Sequence, residues 1–320
     1  MKIRVYFLSV CFCYFSLKIN AQLTDGPDFK NFESITGIKD AYPSISSDGK
    51  KVVFQSNRSG KWEIYTMDSS GKNIKQLTSG IEKSSTPVWS PDGSQIVFCK
   101  EINDNSEIYI KKSDGSIHTR LTDQPGYDSH PKFSPDGKYI LFNSACTTPD
   151  LKVDWSKQWH EIFKIKPDGS EISQIRYFKT ISTYPSISPD GKIICFRKVI
   201  TEPGFNWDLS TTKRNSEVFV MNIDGIDAVN ISNNSAYDRW PVWMPDSKII
   251  YSSNRLGYAN AAQLYMSNID GSSTELVCAK KGALVQASDS SDGKKIYCHH
   301  NAEGPDFEYG GIVVITPEKK

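Results

Sequence analysis

The residues with most to offer chemically are five histidines, seven tryptophans and a few arginines. Trp155, Trp159 and His160 fall within six residues, and Phe205 and Trp207 form a second aromatic pair. Exposed rings of this kind serve as stacking platforms or interface anchors. Arg58 and Arg255 each follow a Ser-Asn pair. A guanidinium there can grip a carboxylate or sulfate with two parallel bonds, or pair with a neighbouring aspartate. The histidines show no H-E-x-x-H or other local ligand spacing, and no cysteine pair has C-x-x-C spacing. No Gly-x-Ser-x-Gly elbow, Walker glycine loop or dinucleotide-binding glycine motif occurs.

The first residues read as an export signal. Met1–Arg4 is short and basic, Val5–Leu17 is almost wholly apolar, and Ile19-Asn20-Ala21 offers a small residue before a cut. The expected domains are a secretory signal peptide over 1–21 and one folded domain over 22–320. The apolar run is too short to span a bilayer. A lipoprotein reading at Leu8-Ser9-Val10-Cys11 is weaker, because Val10 is bulky where a small residue is wanted. The expected location is therefore the periplasm, with secretion or a lipid anchor on the outer membrane as alternatives. Cleavage removes Lys2, Arg4 and Lys18, leaving 35 basic against 37 acidic residues, a net charge of −2. Such a balance, with no basic run, gives no footprint for nucleic acid. No later segment is apolar enough to cross a membrane. The five remaining cysteines are an odd, scattered set rather than a disulfide framework.

What positions these residues is a repeat. Five segments share one pattern: Tyr42–Gly49, Thr86–Gly93, His130–Gly137, Tyr184–Gly191 and Trp240–Ser247, the clearest reading Pro-x-x-Ser-Pro-Asp-Gly. A sixth, altered copy is taken as Leu284–Gly293. Proline presets φ at the first corner of such a turn, aspartate bonds the local backbone, and glycine takes the positive φ. Each turn precedes a β-rich run such as Val52-Val-Phe54 or Ile140-Leu-Phe142. A Glu-Ile-Tyr-like run follows (Glu63, Glu107, Glu161, Glu217), then an Asp-Gly turn and a Leu-Thr-like run. The leading prolines at 43, 87, 131, 185 and 241 are spaced by 44, 44, 54 and 56 residues. Four strands at this period predict a propeller blade. The expected fold is all-β: a six-bladed β-propeller of four-stranded antiparallel blades. The last copy lacks a fourth run, and Glu33-Ser-Ile-Thr-Gly37 resembles Lys75-Gln-Leu-Thr-Ser79. An N-terminal strand near 33–38 is therefore expected to complete blade six and remove the open edge. Asp48, Asp92, Asp136 and Asp190 belong to the turns and are not catalytic carboxylates.

Topology then says where a site can be. In a meander blade the short Asp-Gly turns share one face, and the second-to-third connections share the other. Those connections span nine residues from Phe54 to Glu63 and from Phe98 to Glu107, but 19 from Phe142 to Glu161 and 21 from Phe196 to Glu217. Length concentrated on one rim of a rigid scaffold hints at function, and these two insertions carry the aromatic residues. Whether those rings face solvent or seal their own loops is open. The first residues of the inner strands, taken as Tyr42, Thr86, His130, Tyr184, Trp240 and Leu284, begin near the same rim beside the central channel. They either pack the channel or line a funnel for a ligand.

The repeat series Pro-x-x-Ser-Pro-Asp-Gly, Ile-x-Phe, Glu-Ile-Tyr, Asp-Gly and Leu-Thr resembles the TolB-type propeller family, with its WD40-like Pro-Asp repeat. The resemblance implies a periplasmic binding or scaffold role with an envelope protein as partner. TolB also carries an additional N-terminal domain. Only about 11 residues lie between Gln22 and the first strand, so that domain is not expected here. Propellers of this type also include polysaccharide lyases that hold a divalent metal with histidines, which raises His130, His160 and His299 as a metal set. The leading expectation is a non-catalytic envelope protein needing no cofactor. Its ligand-binding candidates are His130, Trp155, Trp159, His160, Tyr184, Phe205, Trp207, Trp240, Arg58 and Arg255. The alternative is a carbohydrate-active propeller that degrades or binds an oligosaccharide or polysaccharide, as a metal-assisted lyase if an enzyme.

Overall fold

The computed structural model describes residues 32–36, 39–200, 216–234, 236–256, 262–278, 280, 282–289, 292–301 and 310–316. The expected signal segment and the pair Phe205 and Trp207 lie outside these residues. The described strands form six four-stranded antiparallel sheets. An N-terminal strand, β1 (Phe32–Ser34), precedes blade one, which is β2 (Asp40–Ile45), β3 (Lys51–Ser56), β4 (Glu63–Asp68) and β5 (Lys75–Gln76). Blade two is β6 (Ser84–Trp89), β7 (Gln95–Ile102), β8 (Asn105–Lys112) and β9 (His118–Arg120). Blade three is β10 (Asp128–Phe133), β11 (Ile140–Ser144), β12 (Glu161–Ile165) and β13 (Ser173–Arg176). Blade four is β14 (Ser182–Ile187), β15 (Ile193–Val199), β16 (Ser216–Asn222) and β17 (Val229–Asn230). Blade five is β18 (Asp238–Trp243), β19 (Ile249–Ser253), β20 (Gln263–Ser267) and β21 (Glu275–Cys278). Blade six is β22 (Ala283–Asp289), β23 (Ile296–Asn301) and β24 (Gly311–Ile315), completed by β1.

Each piece of the repeat has a physical task. In the Ser-Pro-Asp-Gly turn, Ser-Ser-Asp-Gly in blade one, the serine hydroxyl donates to the aspartate: Ser46 to Asp48 at 2.7 Å, Ser90 to Asp92 at 2.5 Å, Ser134 to Asp136 at 2.7 Å and Ser188 to Asp190 at 2.6 Å. These bonds hold all four exposed carboxyls below the usual carboxylate range. The Ile-x-Phe and Glu-Ile-Tyr runs meet as cross-strand aromatic pairs, Phe54 with Tyr65, Phe98 with Tyr109, Phe142 with Phe163 and Phe196 with Phe219. Their centroids lie 5.7–6.0 Å apart, a spacing at which ring pairs attract. The glutamate opening the third strand accepts the hydroxyl proton of the Leu-Thr threonine: Thr78 to Glu63 at 2.5 Å and Thr122 to Glu107 at 2.6 Å. That threonine oxygen in turn accepts the N–H of Ile64 or Ile108. A side chain thus replaces a backbone rung, so β5 is shorter than the sequence run suggests.

The ring closes as the sequence predicts. β1 pairs antiparallel with β24, Phe32 opposite Ile315 and Ser34 opposite Val313. Glycine in the second turn shows the equivalence. A Cβ on Gly225 would lie 2.5 Å from Ile175 O, and one on Gly271 would lie 2.3 Å from Ile231 O, each on the outer edge of the preceding blade. On Gly71 it would lie 2.1 Å from Ile35 O. Ile35 therefore stands toward blade one as Ile175 and Ile231 stand toward blades four and five.

Candidate functional site: the channel and the loop rim

One residue in the innermost strand of every blade adopts a left-handed backbone. These are Tyr42 (φ 50°), Thr86 (49°), His130 (54°), Tyr184 (57°), Trp240 (51°) and Gln286 (57°). Strand register shifts at each position, the mark of a bulge. The conformation costs side-chain-bearing residues about 1–3 kcal/mol each, and it turns six side chains into the axial channel. The sixth position corrects the sequence reading. Leu284 is fully buried in the core between blades five and six. Gln286, seven residues before Gly293 as Tyr42 is before Gly49, lines the channel instead. Its amide oxygen accepts the N–H of Tyr42 at 3.0 Å, joining blades six and one.

The channel is narrow at this ring, about 90 Å³. Tyr42, His130, Tyr184 and Trp240 form a chain of rings with centroids 6.0, 4.0 and 5.7 Å apart. Above them, on the face of the longer connections, a cavity of about 450 Å³ lies over blades one to four. Its floor is His130 and Tyr184, its walls include Gln55, Asn143, Thr183 and Arg197, and Trp62, Tyr127 and Trp155 bring aromatic surface to it. Lys83 and Glu101 lie on its edge as an ion pair at 3.4 Å.

The insertion of blade three builds one side. Thr148 Oγ1 accepts the N–H of Trp159 and donates to its carbonyl, and Gln158 Nε2 donates to Leu151 O and Val153 O. The loop is thus tied to itself and presents a short 3-10 turn, Trp155–Lys157. Trp155, 43% exposed, covers buried His160 with ring centroids 4.9 Å apart. Trp159 packs edge-on against Tyr177 at 5.6 Å with Lys179 over its face, and it does not line the cavity.

Burial sets the charge state of the floor. It lowers the pKa of His130 to about 3 and that of His160 to about 4, with the Arg197 charge acting in the same direction on both. Both rings are neutral near pH 7. His130 Nδ1 faces Asn143 Oδ1 at 3.0 Å, while Asn143 Nδ2 donates to Ser129 Oγ. That arrangement puts the proton on Nδ1 and leaves Nε2 an acceptor. Neither ring nitrogen of His160 has a hydrogen-bond partner among the described residues. Arg197 lies under Tyr237 and Tyr184, 5.2 and 6.0 Å from their centroids.

Of the sequence candidates, His130, Trp155, His160 and Tyr184 come together in this cavity, and Trp240 joins the channel ring below. Arg58 and Arg255 are engaged within the protein. Arg58 Nη2 reaches both carboxylate oxygens of Asp40 at 2.8 Å, and Arg255 Nη2 reaches Asp238 Oδ2 at 3.4 Å and Tyr251 OH at 2.9 Å. His299 is buried in β23, its Nδ1 bonded to Asp40 O at 2.8 Å, and is not among the cavity residues. Among the described residues no group of three or more His, Cys, Asp or Glu is arranged to hold a metal ion. Sequence reasoning missed Gln55, Asn143 and Arg197. All three occupy one repeat position, the residue after the aromatic of Ile-x-Phe. A polar side chain there, inside an otherwise apolar run, was the available signal.

Fold and cavity together define a six-bladed propeller with a ligand-sized pocket on its loop face. The sequence profile of the tricorn protease N-terminal beta propeller domain matches residues 67–302, and the chain belongs to that family. No curated protein matches its sequence. Among solved structures it is similar to a putative TolB from Agrobacterium tumefaciens, with 18% identity and a TM-score of 0.63 over 89% of this chain and 96% of that one. TolB from Acinetobacter baumannii shares 17% identity, with a TM-score of 0.61 over 92% of this chain and 66% of that one. The oligogalacturonate lyase from Vibrio parahaemolyticus shares 13% identity, with a TM-score of 0.58 over 91% of this chain and 95% of that one. Likeness at these identities is likeness of fold.

Proposed function

We propose that this chain is an exported, non-catalytic binding protein of the cell envelope whose loop-rim cavity takes a saccharide. The cavity carries the reading. At about 450 Å³ it has the size of a small-ligand site. Aromatic surface from Trp62, Tyr127 and Trp155 stands beside the amides of Gln55 and Asn143, the Thr183 hydroxyl and the Arg197 guanidinium. Rings stack on the apolar faces of sugars, and neutral His130 adds a hydrogen-bond acceptor at the floor. The similarity in fold to an oligogalacturonate lyase supports this ligand class. The basic start and apolar run of residues 1–17 support export. A second reading, docking of an envelope protein on the rim, draws on the 43% exposure of Trp155 and the similarity to TolB.

A thermal-shift screen tests the choice, with neutral and anionic oligosaccharides, each with and without manganese or calcium. A ligand at 100 times its Kd stabilises the folded chain by about 2.7 kcal/mol. The expected result is a saccharide-dependent, metal-independent shift lost in Trp155→Ala and kept in Trp159→Ala. A flat panel would favour the protein partner. A metal-dependent shift with release of an unsaturated product would replace binding by lyase chemistry.

A further inference from the structure

A second cavity on the loop face, of about 380 Å³, adjoins the first. Tyr127 and Trp155, 37% and 43% exposed, line both. One wall of this groove is the tip of blade two. There β7 and β8 pair to their ends, Ile102 opposite Asn105. Asn103 and Asp104 turn the chain at φ 51° and 62°, a two-residue turn with both centres left-handed, which Asn and Asp tolerate. The other wall is the blade-three insertion, with Leu151, Trp155 and Gln158. Residues 125–127 run between the walls and are pressed against blade three. Gly126 has φ 106°, and a Cβ on it would lie 2.6 Å from Cys146 N.

The polar side chains of the groove have acceptors left to offer. Asn105 Nδ2 donates to Glu107 Oε1 at 2.9 Å and to Gln124 O at 3.2 Å. Gln158 Nε2 donates to Leu151 O and Val153 O, both at 3.1 Å. Each amide has thus committed both its protons within the protein and keeps an oxygen that can accept. The exposed Asp104 carboxylate has no hydrogen-bond or ion-pair partner among the described residues. The groove is lined by no lysine, arginine or histidine, whereas the first cavity is lined by Lys83, Arg197 and two histidines. Sugar hydroxyls can donate to such acceptors while a ring face rests on Tyr127 or Trp155. A sugar carboxylate in the groove would instead meet Asp104 with no cation of the lining to offset it. We propose that the ligand of this chain is an oligosaccharide of at least two units, which crosses Tyr127 and Trp155 and places an uncharged sugar unit in the groove beside Asp104. The inference rests on the saccharide reading of the loop-rim cavity and adds to it a minimum length and the charge of the second unit.

The probes are one-, two- and three-unit sugars of glucose, galactose, mannose and N-acetylglucosamine, with galacturonate of the same lengths, titrated into the chain and followed by calorimetry. In at least one neutral series the affinity should rise at least tenfold from one unit to two. Galacturonate should show no such rise. Asp104→Gly, compatible with the left-handed turn, should weaken the two-unit neutral sugar at least threefold and leave the one-unit sugar and the unliganded melting temperature unchanged. Asp104→Asn, which keeps an oxygen at that place, should retain the neutral two-unit affinity. No binding of any sugar would remove the loop-rim reading and this inference with it. Equal affinity for one and two units, an equal rise for galacturonate, or unchanged two-unit affinity in Asp104→Gly would overturn the groove alone and leave the loop-rim cavity standing.

Discussion

Asp128 opens β10 as Asp40 opens β2 and Asp238 opens β18, but it lacks their partner. Arg58 and Arg255 pair with the other two; at the matching place in blade three stands Cys146. The backbone there is already set. Cys146 N donates to Ser144 Oγ as Arg58 N does to Ser56 Oγ and Arg255 N to Ser253 Oγ. Asp128 is fully buried, and among the described residues no cationic side chain pairs with it. Burial pushes its carboxyl up to about 7 from 3.8, only partly offset by Ser144, Thr122 and Gln124. The sign follows from linkage. Below about pH 4 the acid is protonated folded and unfolded, and nothing is lost. As pH rises toward 7 the unfolded chain ionises first, so stability falls, and above about 7 the loss is constant. The full difference corresponds to on the order of 4 kcal/mol. Glu161 and Glu217, each raised to about 7 by burial, act in the same direction. Asp128→Asn should therefore flatten part of the decline between pH 4 and 7. Cys146→Arg should raise stability at pH 7.5 by about 1.5–3 kcal/mol, the range for a hydrogen bond to a charged group, and do little at pH 4. Urea midpoints measured from pH 4 to 8 read both effects. An unchanged pH slope in Asp128→Asn, or no gain at pH 7.5 in Cys146→Arg, would refute the reasoning.

Other consequences are as direct. Gly225→Ala should cost more than Gly191→Ala: both glycines have positive φ, but only at Gly225 does a Cβ meet a carbonyl, at 2.5 Å. Melting temperatures of the two variants decide this, and equal losses would mean that blade contact is not what requires glycine. Thr122→Val should destabilise by about 1–3 kcal/mol in a urea titration, because Glu107 and the N–H of Ile108 lose a shared partner. Ligand affinity at the loop rim should stay flat from pH 5.5 to 8, since burial keeps His130 and His160 neutral there. A titration step near 6.5 would show that a floor histidine ionises freely.

The blades were legible because each turn residue has one local task, met in place. Ser-Pro-Asp-Gly closes its hairpin through the Ser90–Asp92 bond and its equivalents, and that chemistry is visible in four letters. The closing strand was legible for the same reason, through Ser34-Ile35-Thr36. The left-handed ring was not. A residue before proline is ordinarily pushed to extended backbone, so Tyr42-Pro43 and Trp240-Pro241 read as plain strand starts. Only the packed ring holds them at positive φ. The seven-residue spacing to the turn glycine, shared by Tyr42–Gly49 and Gln286–Gly293, was the signal that places Gln286 rather than Leu284 in the channel. The cavity was half legible: Trp155 and His160 stood out as an aromatic insertion, whereas Gln55, Asn143 and Arg197 sit singly within apolar strands of three blades and meet only when the ring closes.

The central claim is that ligand binds over blades one to four on the loop face. Hydrogen exchange of the chain with and without the most stabilising saccharide of the screen tests it most directly. The account predicts added protection at Gln55–Trp62, Asn143, Trp155–His160, Thr183, Tyr184 and Arg197, with none at the Asp-Gly turns. Protection confined to the turn face, or none anywhere at saturating saccharide, would contradict it.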